Sequence, residues 1–213
     1  MKLIHPLVCL SVLTLASCSS TLLGEKKPTT IYSPQIHVTT DPSWPRVTWH
    51  LTVLHPKAPR MIDTPRINVQ PTPGEIQVYR NVSWAQPTTD MLEDALIRVF
   101  EDSGKIAGVT RAGTGIRTDY SLSLDLRRFE SDYAGTPMPT ATIEVNAKLI
   151  GAHNKRLIAS RTFIVTQPAT NTDTSTVANA FGQALTQLTN ELVGWTLTMG
   201  QSDAISNDKP SQH

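Results

Sequence analysis

Hydrophobic and polar positions alternate along several stretches of the chain, and each alternation marks an element. Val47, Trp49, Leu51 and Val53 are separated by Thr48, His50 and Thr52, the period-two pattern of a half-buried strand over 46–54. Tyr120, Leu122, Leu124 and Leu126 alternate with Ser121, Ser123 and Asp125, and the pattern reaches Phe129 only after a phase slip at Arg127-Arg128, the mark of a bulge. Ala141, Ile143, Val145, Ala147 and Leu149 predict a further strand. Gly151 to Asn154 then turns the chain into another, Arg156 to Val165, and these three strands read as an antiparallel meander. Between the first strand and the meander, Pro56, Pro59, Pro65, Pro71 and Pro73 leave room only for short extended pieces at Arg66 to Val69 and Glu75 to Arg80.

Two segments have helical spacing instead. Leu92, Ala95, Leu96, Val99 and Phe100 form one stripe, with Asp90 and Glu93 spaced as a capping box and Gly104 as the stop. Asp94, Arg98 and Asp102 lie four apart on the other face, a solvated row of weak pairs. Val177, Ala180, Phe181, Ala184, Leu185, Leu188, Leu192 and Trp195 predict a second helix from about Ser175 to Thr198. The expected fold is therefore α+β, a mostly antiparallel sheet of about four to six strands with two amphipathic helices packed on it, in a single domain over 46–199. Residues 200–213 carry no pattern and read as a disordered tail.

The N-terminus has a different character. Lys2 and the apolar run around Leu7-Val8-Cys9-Leu10 and Val12-Leu13 form a signal peptide over 1–17, too short to span a bilayer. Leu15-Ala16-Ser17-Cys18 resembles a bacterial lipobox, which implies cleavage between Ser17 and Cys18 and acylation of the Cys18 thiol. Each buried methylene contributes about 0.8 kcal/mol, so two or three acyl chains on one cysteine anchor a protein durably. Ser19, in place of Asp, points to the periplasmic face of the outer membrane rather than the inner one. Residues 18–45 are rich in Ser, Thr, Pro and Lys and read as a flexible tether with a reach of at most about 90 Å at about 3.3 Å per residue.

Composition narrows the chemistry. The net charge of +1 falls to about zero without Lys2, which removes the electrostatic case for nucleic acid. The two cysteines are Cys9 and Cys18, so the domain has neither disulfide nor thiolate metal site. The chain contains no phosphate-cradling loop, no Gly-x-Ser-x-Gly elbow and no His-Glu-x-x-His, and His50, His55 and His153 stand singly. No catalytic, metal or cofactor set is expected. Glu130 and Asp132 read as a solvated strand end. From Thr162 to Gly200 the only charged residues are Asp173 and Glu191, although this stretch includes a long amphipathic helix. Interface cores are poor in charge, so Asn179, Gln183, Thr186, Gln187 and Asn190, with Trp84 in a loop-like context, are the candidate partner surface.

Pro65-Arg66-Ile67, Trp84 with Pro87, Asp119-Tyr120 to Phe129-Glu130, Arg161-x-Phe163 and Val177-Ala178-x-Ala180-Phe181-x-x-x-Leu185-x-x-Leu188 ending at Trp195 follow one another in a set order. That order resembles the ABC-type transport auxiliary lipoproteins, the paraquat-inducible protein C-like subunits of MCE (mammalian cell entry) lipid-transport systems. The family commonly opens with a Tyr-rich strand, whereas Tyr32-Ser33-Pro34 here is followed by Pro42 and Pro45. The resemblance implies a non-enzymatic docking adaptor whose partners are an MCE-domain protein and a separately encoded permease and ATPase, with homo-oligomerisation left open. A periplasmic lipid-binding carrier or an outer-membrane assembly lipoprotein is the alternative.

Overall fold

In the computed structural model, which describes residues 28–207, eleven elements follow one another. They are β1 (Thr30–Tyr32), β2 (His50–Val53), β3 (Asn68–Gln70), β4 (Gln77–Val78), β5 (Val82–Trp84), α1 (Thr88–Ser103), β6 (Gly108–Arg111), β7 (Tyr120–Asp132), β8 (Thr140–Gly151), β9 (Leu157–Pro168) and α2 (Thr174–Asn207). The signal peptide, the Ser17–Cys18 junction and residues 208–213 lie outside the described residues.

The expected α+β fold with a mostly antiparallel sheet is present. The long strands β7, β8 and β9 form the antiparallel meander. The far edge of β7 is shared by two short parallel strands, β2 beside Tyr120–Leu122 and β3 beside Glu130–Asp132. β6 extends the sheet beyond β2 in parallel, and β4 pairs antiparallel with β3. β6 was not expected, because Gly108-Val-Thr-Arg is too short to show alternation. The bulge falls where the phase slips, with the register shifting between Leu126 and Arg128. It keeps Phe129 on the core face with Leu122, Leu124 and Leu126, all almost fully buried.

Both helices cover one face of the sheet. Leu92, Leu96, Val99 and Phe100 of α1, and Phe181, Ala184, Leu185, Leu188 and Leu192 of α2, meet Ile143, Val145, Ala147 and Leu149 of β8 and Phe163 and Val165 of β9 in one core. Thr189 and Thr196 are fully buried in α2, yet each hydroxyl donates to the carbonyl four residues earlier, Leu185 and Leu192, at 2.8 Å. Among the described residues no helix is long and apolar enough to cross a membrane.

Four expectations are corrected. α1 begins at Thr88 after Pro87, with no side-chain cap, so Asp90 and Glu93 form no capping box; the Thr88 and Thr89 hydroxyls instead donate to Ile62 O and Asp63 Oδ1 of the loop before β3. Gly104, at φ 59°, does end the helix as expected. Asp94 pairs with Arg111 at 2.6 Å rather than with Arg98. α2 continues past Thr198 to Asn207, because Asp203 is held by the Tyr120 hydroxyl at 3.0 Å and by Arg156 of the β8–β9 turn. Burial first, then the hydrogen bond to Asp203, pushes the Tyr120 hydroxyl up to about 12.

The fourth correction is the tether. β1 pairs with β5, and the chain after it runs as a strap beside α2 with Tyr32, Pro34, Ile36 and Val38 turned inward and Ser33, Gln35 and His37 outward. Pro34 masked this alternation in the sequence. Glycines admit the strap. A Cβ at 194 would lie 2.5 Å from Trp44 Nε1, whereas one at 182 would meet Gln35 O at 3.4 Å, an ordinary contact distance. Gly194→Ala is therefore expected to cost about 1–2 kcal/mol, the clash outweighing the roughly 1 kcal/mol that alanine adds inside a helix. Gly182→Ala should be neutral or stabilising. Urea unfolding of the two variants checks this, and equal midpoints would contradict the packing described.

Candidate docking surface on the second helix

The sequence places Asn179, Gln183 and Gln187 at spacings of four, and α2 duly presents them as one exposed row. The strap borders this row. Tyr32, Ser33, Pro34, Gln35 and His37 form one wall of an open groove of about 480 Å³ whose other wall is Asn179, Gly182, Gln183, Thr186 and Gln187. The His37 backbone N–H donates to Thr186 Oγ1 at 3.2 Å, and Gln187 Nε2 donates to Glu191 Oε1 at 2.9 Å. The groove thus combines apolar surface from Tyr32, Pro34 and Ala178 with the neutral amides of Asn179, Gln183 and Gln187, groups that hydrogen-bond a partner without the desolvation cost of a charge.

Asn190 belongs elsewhere. It is half-buried, and its Oδ1 is enclosed without a hydrogen-bond partner in a second open groove, about 600 Å³, beside Trp44, Arg161, Trp195 and Met199. Arg161 lies over the Phe163 ring at 4.6 Å, and that ring meets Trp195 edge-on at 5.7 Å. Arg161 is the only charged residue of β9, the edge strand whose second side is unpaired among the described residues. Ile164, 60% exposed, stands on the same strand.

Trp84 is corrected outright. It is 2% exposed and packs edge-on against Phe129 at 6.0 Å and Phe181 at 5.2 Å, so it belongs to the core and meets no partner. Its sequence context misled because β5 is three residues long and pairs with β1, far away in the chain. Glu130 also departs from expectation. It is 5% exposed and accepts a hydrogen bond from Arg128 Nε at 2.7 Å, while Asp132 takes Arg128 Nη2 at 2.7 Å. Burial pulls the Arg128 pKa down, but the hydrogen bonds and charges of the two carboxylates outweigh it and leave it raised.

One cluster escaped sequence reading entirely. His55 Nδ1 lies 2.8 Å from Glu93 Oε2 and 3.9 Å from Asp90 Oδ1, and Arg111 Nε lies 3.7 Å from Glu93 Oε1. Glu93 is 7% exposed, and the Arg111 charge together with the contact to His55 Nδ1 offsets its desolvation. The network clasps α1 to the segments after β2 and in β6. His55 is 38 positions from Glu93, and Arg111 arrives from a separate strand, so no local spacing announces the cluster.

The family model described as the ABC-type transport auxiliary lipoprotein component matches residues 30–193. The crystal structure of protein XCC0632 from Xanthomonas campestris is 60% identical, with a TM-score of 0.81 over 83% of this chain and 99% of that one. The hypothetical protein CT253 of Chlamydia trachomatis, 9% identical, has a TM-score of 0.52 over 72% of this chain and 98% of that one, a likeness of fold. An uncharacterised protein of Bradyrhizobium diazoefficiens, bll6063, is 25% identical over 147 residues, 69% of this chain but only 39% of that protein's length.

Trp84→Ala is expected to lose about 3–5 kcal/mol of stability, as for a large aromatic removed from a core. Gln183→Ala on the exposed row should stay within about 0.5 kcal/mol of the parent. Equilibrium denaturation of both proteins measures the contrast.

Proposed function

Because this chain belongs to the ABC-type transport auxiliary lipoprotein component family, we propose that it is the docking adaptor of an MCE-type system that moves phospholipids or other hydrophobic molecules across the periplasm. As a lipoprotein of that family it is attached to a membrane by lipid. In this reading the attachment is at Cys18, the membrane is the outer one, and the domain acts by binding rather than by catalysis.

The observation that carries the reading is the neutral strip on α2. Asn179, Gln183 and Gln187 are exposed, the charged residues of α2 are Glu191 and Asp203 alone, and the helix packs beside a long edge strand bearing one charge. A charge-poor strip beside an unpaired edge suits recognition by another protein's strand or helix. The grooves beside α2 are open clefts rather than enclosed cavities, which suits docking better than enclosing an acyl chain.

An affinity pull-down of the anchored protein from solubilised envelopes is expected to recover an MCE-domain protein together with a permease and an ATPase. The double substitution Gln183→Arg with Gln187→Arg should weaken that recovery about tenfold or more, since about 1.4 kcal/mol of unpaired-charge penalty is tenfold in affinity. Undiminished recovery by the double variant would place the docking surface elsewhere, and repeated absence of any MCE-domain protein would overturn the adaptor reading itself.

A further inference from the structure

We propose that the strap decides which end of the domain is kept near its membrane: the end that carries the start of α2 and the β7–β8 turn stays within about 35 Å of the lipid headgroups, and the opposite end stands on average farther out. The inference rests on lipid attachment at Cys18.

The strap advances along α2 in one direction. Tyr32 Oη lies 3.0 Å from Thr174 Oγ1 in the first turn of the helix. Gln35 then passes Gly182, His37 bonds Thr186, Trp44 covers Gly194 and Trp49 covers Gly200. Extrapolated backwards, residues 28–30 lie at the N-terminal end of α2, where Thr30 is also held by the Asn81 carbonyl at 2.9 Å. The same end carries the turn between β7 and β8, because Ala169, just before α2, bonds Pro139 O at 2.9 Å. At the other end lie the β8–β9 turn and Asp203, joined through Arg156. α2 has 34 residues, and at about 1.5 Å each it separates the two ends by about 50 Å.

The distance from the acyl chains to the domain is then set by Cys18 to Pro28 alone. About ten residues reach at most about 35 Å even when fully extended, little more than a third of what a tether to residue 45 would allow. That short reach keeps the proximal end near the bilayer, whereas the distal end is free to range and on average stands farther out. Exposed hydrophobic side chains do not set this orientation, since Ile31 and Met138 are exposed at the proximal end and Leu157 and Ile205 at the distal one. The covalent path of the chain does.

Cysteine use makes a direct test clean. Cys9 leaves with the signal and the Cys18 thiol is taken by the lipid, so an introduced cysteine is the single free thiol. Mature lipidated protein bearing Met138→Cys or Thr170→Cys (proximal), or Ile205→Cys or His153→Cys (distal), is labelled with a donor fluorophore. It is then placed in vesicles of phosphatidylethanolamine and phosphatidylglycerol containing a headgroup-labelled acceptor lipid. Energy transfer several-fold greater from both proximal positions than from both distal ones is the expected result. Equal transfer from the two ends, the reverse order, or disagreement within a pair overturns the orientation. Intact mass spectrometry showing no lipid on Cys18 would instead remove the attachment on which the orientation rests, a failure distinguishable from the first.

Discussion

The structure depends on the stack of Phe129 and Phe181, 4.9 Å apart and nearly parallel, closed on one side by Trp84. Phe129 belongs to the central strand, Phe181 to the long helix and Trp84 to the short strand that receives the N-terminal segment. Three parts of the chain with no local reason to meet are joined there by burial of large aromatic surface, worth several kcal/mol at one place. The bulge at Arg127-Arg128 is what allows it. Without the extra residue Phe129 would turn to the open face of the sheet, and Arg128 would point at the helix.

The same packing explains the charge-poor helix. α2 lies on β8 and β9, beside α1 and under the strap, so it is covered on three sides and an ionised group there would need a buried partner. Much of its neutral composition is therefore a condition of folding. The part left over, Asn179, Gln183 and Gln187, is narrower than the composition suggested, and Asn190 is drawn away into the groove beside Trp44. A docking surface and a packing requirement share one helix, and only the direction each residue faces separates them.

Elements with a long period were legible in the sequence. The three strands of the meander, the slip in β7, the stop at Gly104 and the apolar faces of both helices follow from alternation and helical spacing, which local side-chain direction imposes. Other short strands were not. β1, β5 and β6 each have three or four residues and find partners far along the chain, so neither period nor turn chemistry marks them, whereas β2 and β3 fall largely within the predicted strand and the first predicted extended piece. The burial of Trp84 and Glu130 and the meeting of His55 with Glu93 have the same cause.

The amino-acid sequence by itself determined the α+β class, the meander, the two helices and a lipobox-like quartet at the N-terminus, because each is written in the types and spacing of neighbouring residues. Tertiary structure alone decided that the N-terminal segment is a strap and no free tether, that Trp84 is core, and that α2 runs on to Asn207. Those outcomes rest on what lies opposite a residue in space. A missing Cβ at Gly194 or a hydroxyl at Tyr120 becomes informative only when the indole or carboxylate that meets it has been brought there by the rest of the fold.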